Sequence, residues 1–177
     1  MRKMHLLIAG TSLAALSLLS CKNPEKIIPG TWTVVEAKAD GQTELNITDS
    51  NQDPNCGNET ASIKAKITSA TFTFNEDGTY TNRTTFSATY TYNSDQCPSL
   101  TVPTSNTDTV NGTWTLLGKD KLILKSSGQE TECTIVKLKR KKMVLSCPCV
   151  KDCQFDILDD GDIDYTLKET EFTMEKQ

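Results

Sequence analysis

Three cysteines crowd the stretch LSCPCVKDC, where Cys147, Cys149 and Cys153 fall within seven positions. Thiolates so spaced can bind zinc or copper(I), exchange electrons, or staple neighbouring segments. A thioredoxin-type redox centre needs two cysteines separated by two residues at a helix start, and no such pair is present. Cys-Pro-Cys-x-x-x-Cys remains as a metal candidate, but the chain's only histidine is His5, so no mixed Cys/His site is expected. Four more cysteines, at positions 21, 56, 97 and 133, complete the set.

The choice depends on compartment. Arg2 and Lys3 precede an uncharged apolar run from Leu6 to Leu19, which has the length and polarity of an export signal. It ends in Leu18-Leu19-Ser20-Cys21, which resembles the lipobox of bacterial lipoproteins. That resemblance implies cleavage before Cys21, a diacylglyceryl thioether on its sulfur, and a further acyl chain such as palmitate on the new amino group. Residues 1–20 are then a signal peptide, 21–28 a lipidated tether, and 29–177 one domain. Lys22 follows the cysteine where inner-membrane retention favours Asp, so the expected address is the outer membrane, facing the periplasm or the cell surface. Setting Cys21 aside leaves Cys56, Cys97, Cys133, Cys147, Cys149 and Cys153, an even set that in an oxidising compartment reads as three disulfides. Cys56 and Cys97 sit in Pro/Asn/Asp-rich stretches and are expected to tie two loops. Cys133 faces the 147–149 region across a turn at Arg140-Lys141, so it is expected to join Cys147 or Cys149, with Cys153 taking the other. No metal and no cofactor is expected.

Loss of the leader removes two of 19 basic residues and leaves 23 acids, a net charge of about −6. This offers no electrostatic match to nucleic acid or to anionic lipid. Without histidine in the mature chain, Ser-His-Asp and Cys-His mechanisms are excluded, and no phosphate-binding loop or dinucleotide fingerprint occurs. No enzyme is expected.

The elements that position these residues alternate with period two. Phe72 and Phe74 lead to a turn at Glu76-Asp77-Gly78, and Tyr80 begins a long return on which Phe86, Ala88, Tyr90 and Tyr92 share a face. Trp114 and Leu116 pair by the same device with Leu122 and Leu124, and Val136 and Leu138 with Met143 and Leu145. Residues 59–70 fit either a strand or a short helix, because Ile63, Ile67 and Ala70 also have helical spacing. The acid-rich 156–164 stretch has some ligands of a calcium loop, but Leu158 and Leu167 stand at two of its ligand positions, so a hairpin turn is expected. The pattern predicts an all-β chain, an antiparallel up-and-down meander of about eight to ten strands, closed as a barrel. A β-sandwich is the alternative. Two long loops are expected, at 49–60 and 93–107.

IPGTWTVVEA, FTFNEDGTYTN, VNGTWTLLGKDKLIL and IVKLKRKKMVLS follow one another as in lipocalin-like lipoproteins of Gram-negative bacteria. The chain resembles that family over roughly residues 28 to 170. The resemblance implies a lipocalin-like barrel whose closed end is plugged by the Trp of Gly30-Thr31-Trp32. The family's Thr-Asp-Tyr element is missing. So is the late arginine that packs on that Trp in well-studied lipocalins, since the mature chain has only Arg83 and Arg140. One expected function is a membrane-anchored carrier of a small hydrophobic ligand. Its lining would come from Trp32, Phe72, Phe74, Phe86, Tyr90, Tyr92, Trp114, Leu138 and Met143, with Val34, Leu116, Val136 and Leu145 on the same inward face. The other is a non-catalytic, disulfide-stabilised envelope protein with a filled barrel, acting on partners through its two long loops.

Overall fold

Alternation of apolar and polar residues becomes antiparallel strands throughout the computed structural model, which describes residues 23–53, 55–149, 154–155 and 165–177. The expected signal segment, Cys21, Cys153 and the expected acidic turn at 156–164 lie outside the described residues. A single helical turn α1 (Pro24–Ile27) precedes β1 (Gly30–Ala39), β2 (Leu45–Asp53), β3 (Gly57–Phe74), β4 (Thr79–Ser94), β5 (Leu100–Leu117) and β6 (Lys121–Ser126). There follow β7 (Gln129–Lys139), β8 (Lys142–Pro148), β9 (Gln154–Phe155), β10 (Tyr165–Thr166) and β11 (Glu169–Lys176).

Nine strands form one sheet in the order β1-β11-β8-β7-β6-β5-β4-β3-β2, and β1 also pairs with β3. That second pairing sets Gly30 opposite Phe74 and Trp32 opposite Phe72, so the meander closes nearly into a ring. From β2 to β8 each strand neighbours the next in sequence, β11 joins β8 to β1, and β9 pairs with β10 apart, so one sheet runs round the ring, which rules out the two-sheet sandwich. Strand β3 is long enough to carry β1 along Thr71–Phe74 and β2 along Gly57–Ala65. Strands β3, β4 and β5 run 16 to 18 residues, against six in β6, so they extend well past the ring.

Both expected long loops are mostly strand. β2 continues to Asp53, β3 starts at Gly57 and β5 starts at Leu100, which leaves only residues 54–56 and 95–99 as connections. These stretches are rich in Thr, Ser and Asn. They pair through backbone and polar side chains such as Thr85 and Thr107, without the apolar face that periodicity detects. Cys56 and Cys97 join the two short connections, with Cα atoms 5.1 Å apart.

Residues 59–70 are strand, and a β-bulge explains the helical spacing. The register slips between Ile67 and Ser69, so the inward face runs Ala61, Ile63, Ala65, Ile67 and then Ala70, Phe72, Phe74. A second bulge between Ile135 and Lys137 has the same effect. Cys133, Ile135 and Leu138 pack on the core while Val136, expected inside, is 59% exposed.

The main core fills the closed end of the ring. Ile28, Trp32, Phe72, Phe74, Tyr80, Met143, Leu145 and Met174 are buried there. Phe74 lies beside Trp114 edge-on at 5.9 Å, and Phe72 beside Phe172 at 5.3 Å. Residues 24–28 are therefore more than a tether: α1 folds over this end, and the carbonyl of fully buried Ile28 accepts the Trp32 Nε1–H at 2.7 Å. Asn23 caps α1 by accepting the Glu25 N–H at 3.1 Å. The late arginine missing from the sequence has its place over Trp32 taken by a lysine. Lys176 sets Nζ 5.3 Å from the Trp32 ring centroid and donates to the Ile27 carbonyl at 2.7 Å.

Candidate functional site

Two packed clusters divide the interior. The first is the closed-end core. The second lies on the extension of β2, β3 and β4, where Ile47, Ala61, Ile63 and Ala88 are buried against Ala65, Tyr90, Tyr92 and Tyr165. Next to it lies a half-open cavity of about 430 Å³. Its walls are Ala37 and Ala39 of β1, Leu45 of β2, Ile63, Ala65 and Ile67 of β3, Phe86, Ala88 and Tyr90 of β4, and Leu167 before β11. Gln42, Thr43, Thr84 and Thr170 supply polar groups, and Lys66 and Asp108 are the charged ones.

The expected lining residues separate accordingly. Phe86 and Tyr90 line this cavity, and Tyr92 packs against the second cluster. Trp32, Phe72, Phe74 and Met143 are buried in the closed-end core, and Val34, Trp114, Leu116 and Leu138 pack on its flank. Those residues fill space and line no part of the cavity. Reading for large apolar residues finds the packed core. The cavity opens where the inward positions are alanine, at 37, 39, 65 and 88, because a methyl group leaves the interior unfilled. The alternation of Ala61, Ile63, Ala65 and Ile67 with Phe86, Ala88 and Tyr90 across β3 and β4 was the signal available.

One wall is held by Asp40, which turns the chain out of β1 in the left-handed region at φ 46°. Its carboxylate accepts the Tyr165 hydroxyl, the Lys168 N–H at 3.1 Å and the Glu169 N–H at 2.9 Å. Burial works to raise the Asp40 pKa, but the Tyr165 hydroxyl and the two N–H groups outweigh it and leave the carboxyl below its ordinary value. The same hydrogen bond, with burial and the carboxylate's charge, pushes Tyr165 up to about 12. This clasp pins Leu167 and the start of β11 to the β1–β2 turn beside the cavity.

The cysteines are staples where the structure describes them. Cys133 joins Cys147, and Cys149 is also disulfide-bonded, its partner lying outside the described residues. Among the described residues no group of three or more His, Cys, Asp or Glu side chains is placed to hold a metal ion. What the site offers is a greasy, alanine-lined recess with a polar mouth, suited to non-covalent binding.

A family model described as a lipocalin-like domain matches residues 28–145. No curated protein and no solved structure matches the chain. The matched span runs from the plug residue Ile28 to Leu145 of β8 and takes in both Gly-x-Trp triplets and all of the cavity's β3 and β4 walls, so the chain belongs to the lipocalin-like domain family.

Proposed function

We propose that this protein is a membrane-tethered lipocalin-like carrier that holds one small, largely apolar molecule in the cavity between β1, β3 and β4. The observation that carries the reading is the alanine-lined recess. Side chains otherwise pack the interior closely, yet here four inward alanines leave about 430 Å³ open to a polar mouth. That volume lies toward the lower end of the range of about 300–1,000 Å³ usual for small-molecule sites. Anchoring rests on the Leu18-Leu19-Ser20-Cys21 motif, which supports acylation of Cys21 and an outer-membrane address. The disulfides argue for an extracytoplasmic compartment.

Titration with an apolar fluorophore that brightens out of water tests the carrier. Saturable binding is expected, weakened at least tenfold in Ala65→Phe, which puts a ring into the cavity from a half-buried position. Equal binding by a normally folded Ala65→Phe protein would sink the reading.

A further inference from the structure

We propose that the β7–β8 turn and α1 form a docking face for an anionic lipid surface, which stands the barrel on its closed end. The average charge of the chain argues against such a partner, but the charges are not evenly spread. Lys139, Arg140, Lys141 and Lys142 are consecutive and exposed, and Lys26 of α1 is exposed beside them. Arg140, Lys141, Lys26 and Lys176 border one cleft together with Ile27 and Asn23. Burial, with the Arg140 charge close by, holds Lys176 below the usual lysine pKa. In register, Lys139 stands directly opposite Lys142 across the hairpin, a like-charge pairing that disfavours folding unless a counter-charge arrives.

Elsewhere lysines meet carboxylates. The ion pairs among the described residues are Lys38–Glu36, Lys66–Glu44, Lys121–Glu132 and Lys125–Glu130, and none involves this cluster. Glu175 is the register partner of Lys142 but makes no such contact, and Glu25 and Glu76 border a neighbouring recess that shares Lys26 with the basic cleft. The cluster therefore presents cations that no ion pair among the described residues holds.

Its place in the fold points to the partner. Asn23 borders the basic cleft, and Cys21 is two residues before it, a distance the chain spans in at most about 7 Å. This part of the inference rests on acylation of Cys21 as proposed above. Acyl chains so placed hold the cations at headgroup depth, where Lys and Arg are attracted to anionic phosphates. The cavity lies toward the opposite end, among β1 residues 37–39 rather than Gly30–Trp32. Its mouth then faces away from the anchoring membrane, and ligand is exchanged with the aqueous side.

The test is competition of the full-length protein between vesicles of phosphatidylcholine alone and vesicles with added phosphatidylglycerol, at low and high salt. A preference of at least tenfold for the anionic vesicles is expected at low salt and should shrink at high salt. It should be lost in Arg140→Gln/Lys141→Gln/Lys142→Gln and kept in Lys38→Gln/Lys64→Gln/Lys125→Gln, which removes equal charge elsewhere. No preference, or equal loss in both triple variants, overturns the docking face. Failure of the acylation reading looks different: the protein stays off neutral vesicles while the salt-dependent preference for anionic ones persists.

Discussion

A methyl group on Gly112 would lie 2.0 Å from the Lys125 carbonyl oxygen and 2.8 Å from the Tyr80 ring, whereas one on Gly30 would meet Lys176 Cε at 2.6 Å. Gly30 also sits at φ 125°, where a side chain is strained in any case. The two Gly-x-Trp triplets thus need glycine for different reasons: close approach of β5 to β6 at one, backbone conformation and the lysine stem at the other. Gly112→Ala is expected to cost about 2–3 kcal/mol, read as a lower denaturant midpoint. Lys176→Met removes a cation over Trp32 and a hydrogen bond to Ile27, so a loss of about 1–2 kcal/mol is expected, with Lys176→Arg close to wild type. No arginine-based motif could reveal this lysine; its role emerges only when the last strand, β11, is paired with β1. The Asp40–Tyr165 clasp makes a pH prediction of its own. Tyr165 must stay protonated to donate, and its pKa is raised on folding, so its stabilisation is complete below pH 10 and fades as pH rises through about 12. Asp40 is shifted the other way: its contribution holds above its ordinary 3.8 and is lost as pH falls through the lowered value. Absorbance titration of the folded protein should show a tyrosine near 12 that Tyr165→Phe abolishes. A Tyr165→Phe protein with the same alkaline titration would remove the clasp from the account.

Among elements, the β3–β4, β5–β6 and β7–β8 hairpins were legible in the sequence because each shows alternation on both sides of a Gly- or Lys-containing turn. The bulges were not. Each inserts one residue, so a face that reads Ile63, Ile67, Ala70 imitates a helix, and Val136 is exchanged for Ile135 on the inward side. Polar strand was equally hard to see, since residues 100–109 are exposed and carry no apolar stripe. Long strands of this kind bring an edge with them. β5 pairs with β6 only from Thr113 onward, so along Leu100–Gly112 it has β4 as its partner among the described residues. Pro103 offers no N–H, and the Thr107 N–H is taken by the Asn106 side chain at 2.9 Å, two features that blunt an open edge. Replacing both, as Pro103→Val/Asn106→Val, is expected to promote self-association, measured by light scattering against wild type. The Cys56–Cys97 bridge spans 41 residues and ties the tips of this extension. By loop entropy Cys56→Ser/Cys97→Ser should cost about 4 kcal/mol, with amide exchange rising first at those tips.

For the whole molecule, the ring followed from local pattern and its closed end from the resemblance carried by Gly30-Thr31-Trp32, whereas the cavity depends on which faces meet across the barrel. Of the large aromatic residues, Phe86 and Tyr90 pointed to the cavity, while Trp32, Phe72, Phe74 and Trp114 pointed to the filled part of the interior. Small residues on β1, β3 and β4 mark the unfilled part, and they become informative only once β1 and β2 are seen to share the edge of β3. The molecule then has a polarity: a basic, plugged end beside α1 and an apolar recess toward the other end. The proposed carrier role asks for binding without chemistry, so occupancy is the property that decides the account. The most direct measurement is the intact mass of the full-length protein, incubated with an extract of membrane lipids, under native and then denaturing conditions. The wild type should carry a small-molecule adduct that denaturation releases, and Ala65→Phe treated alike should carry none. A wild type that stays unliganded, or an adduct equally present in Ala65→Phe, would contradict a ligand-holding cavity.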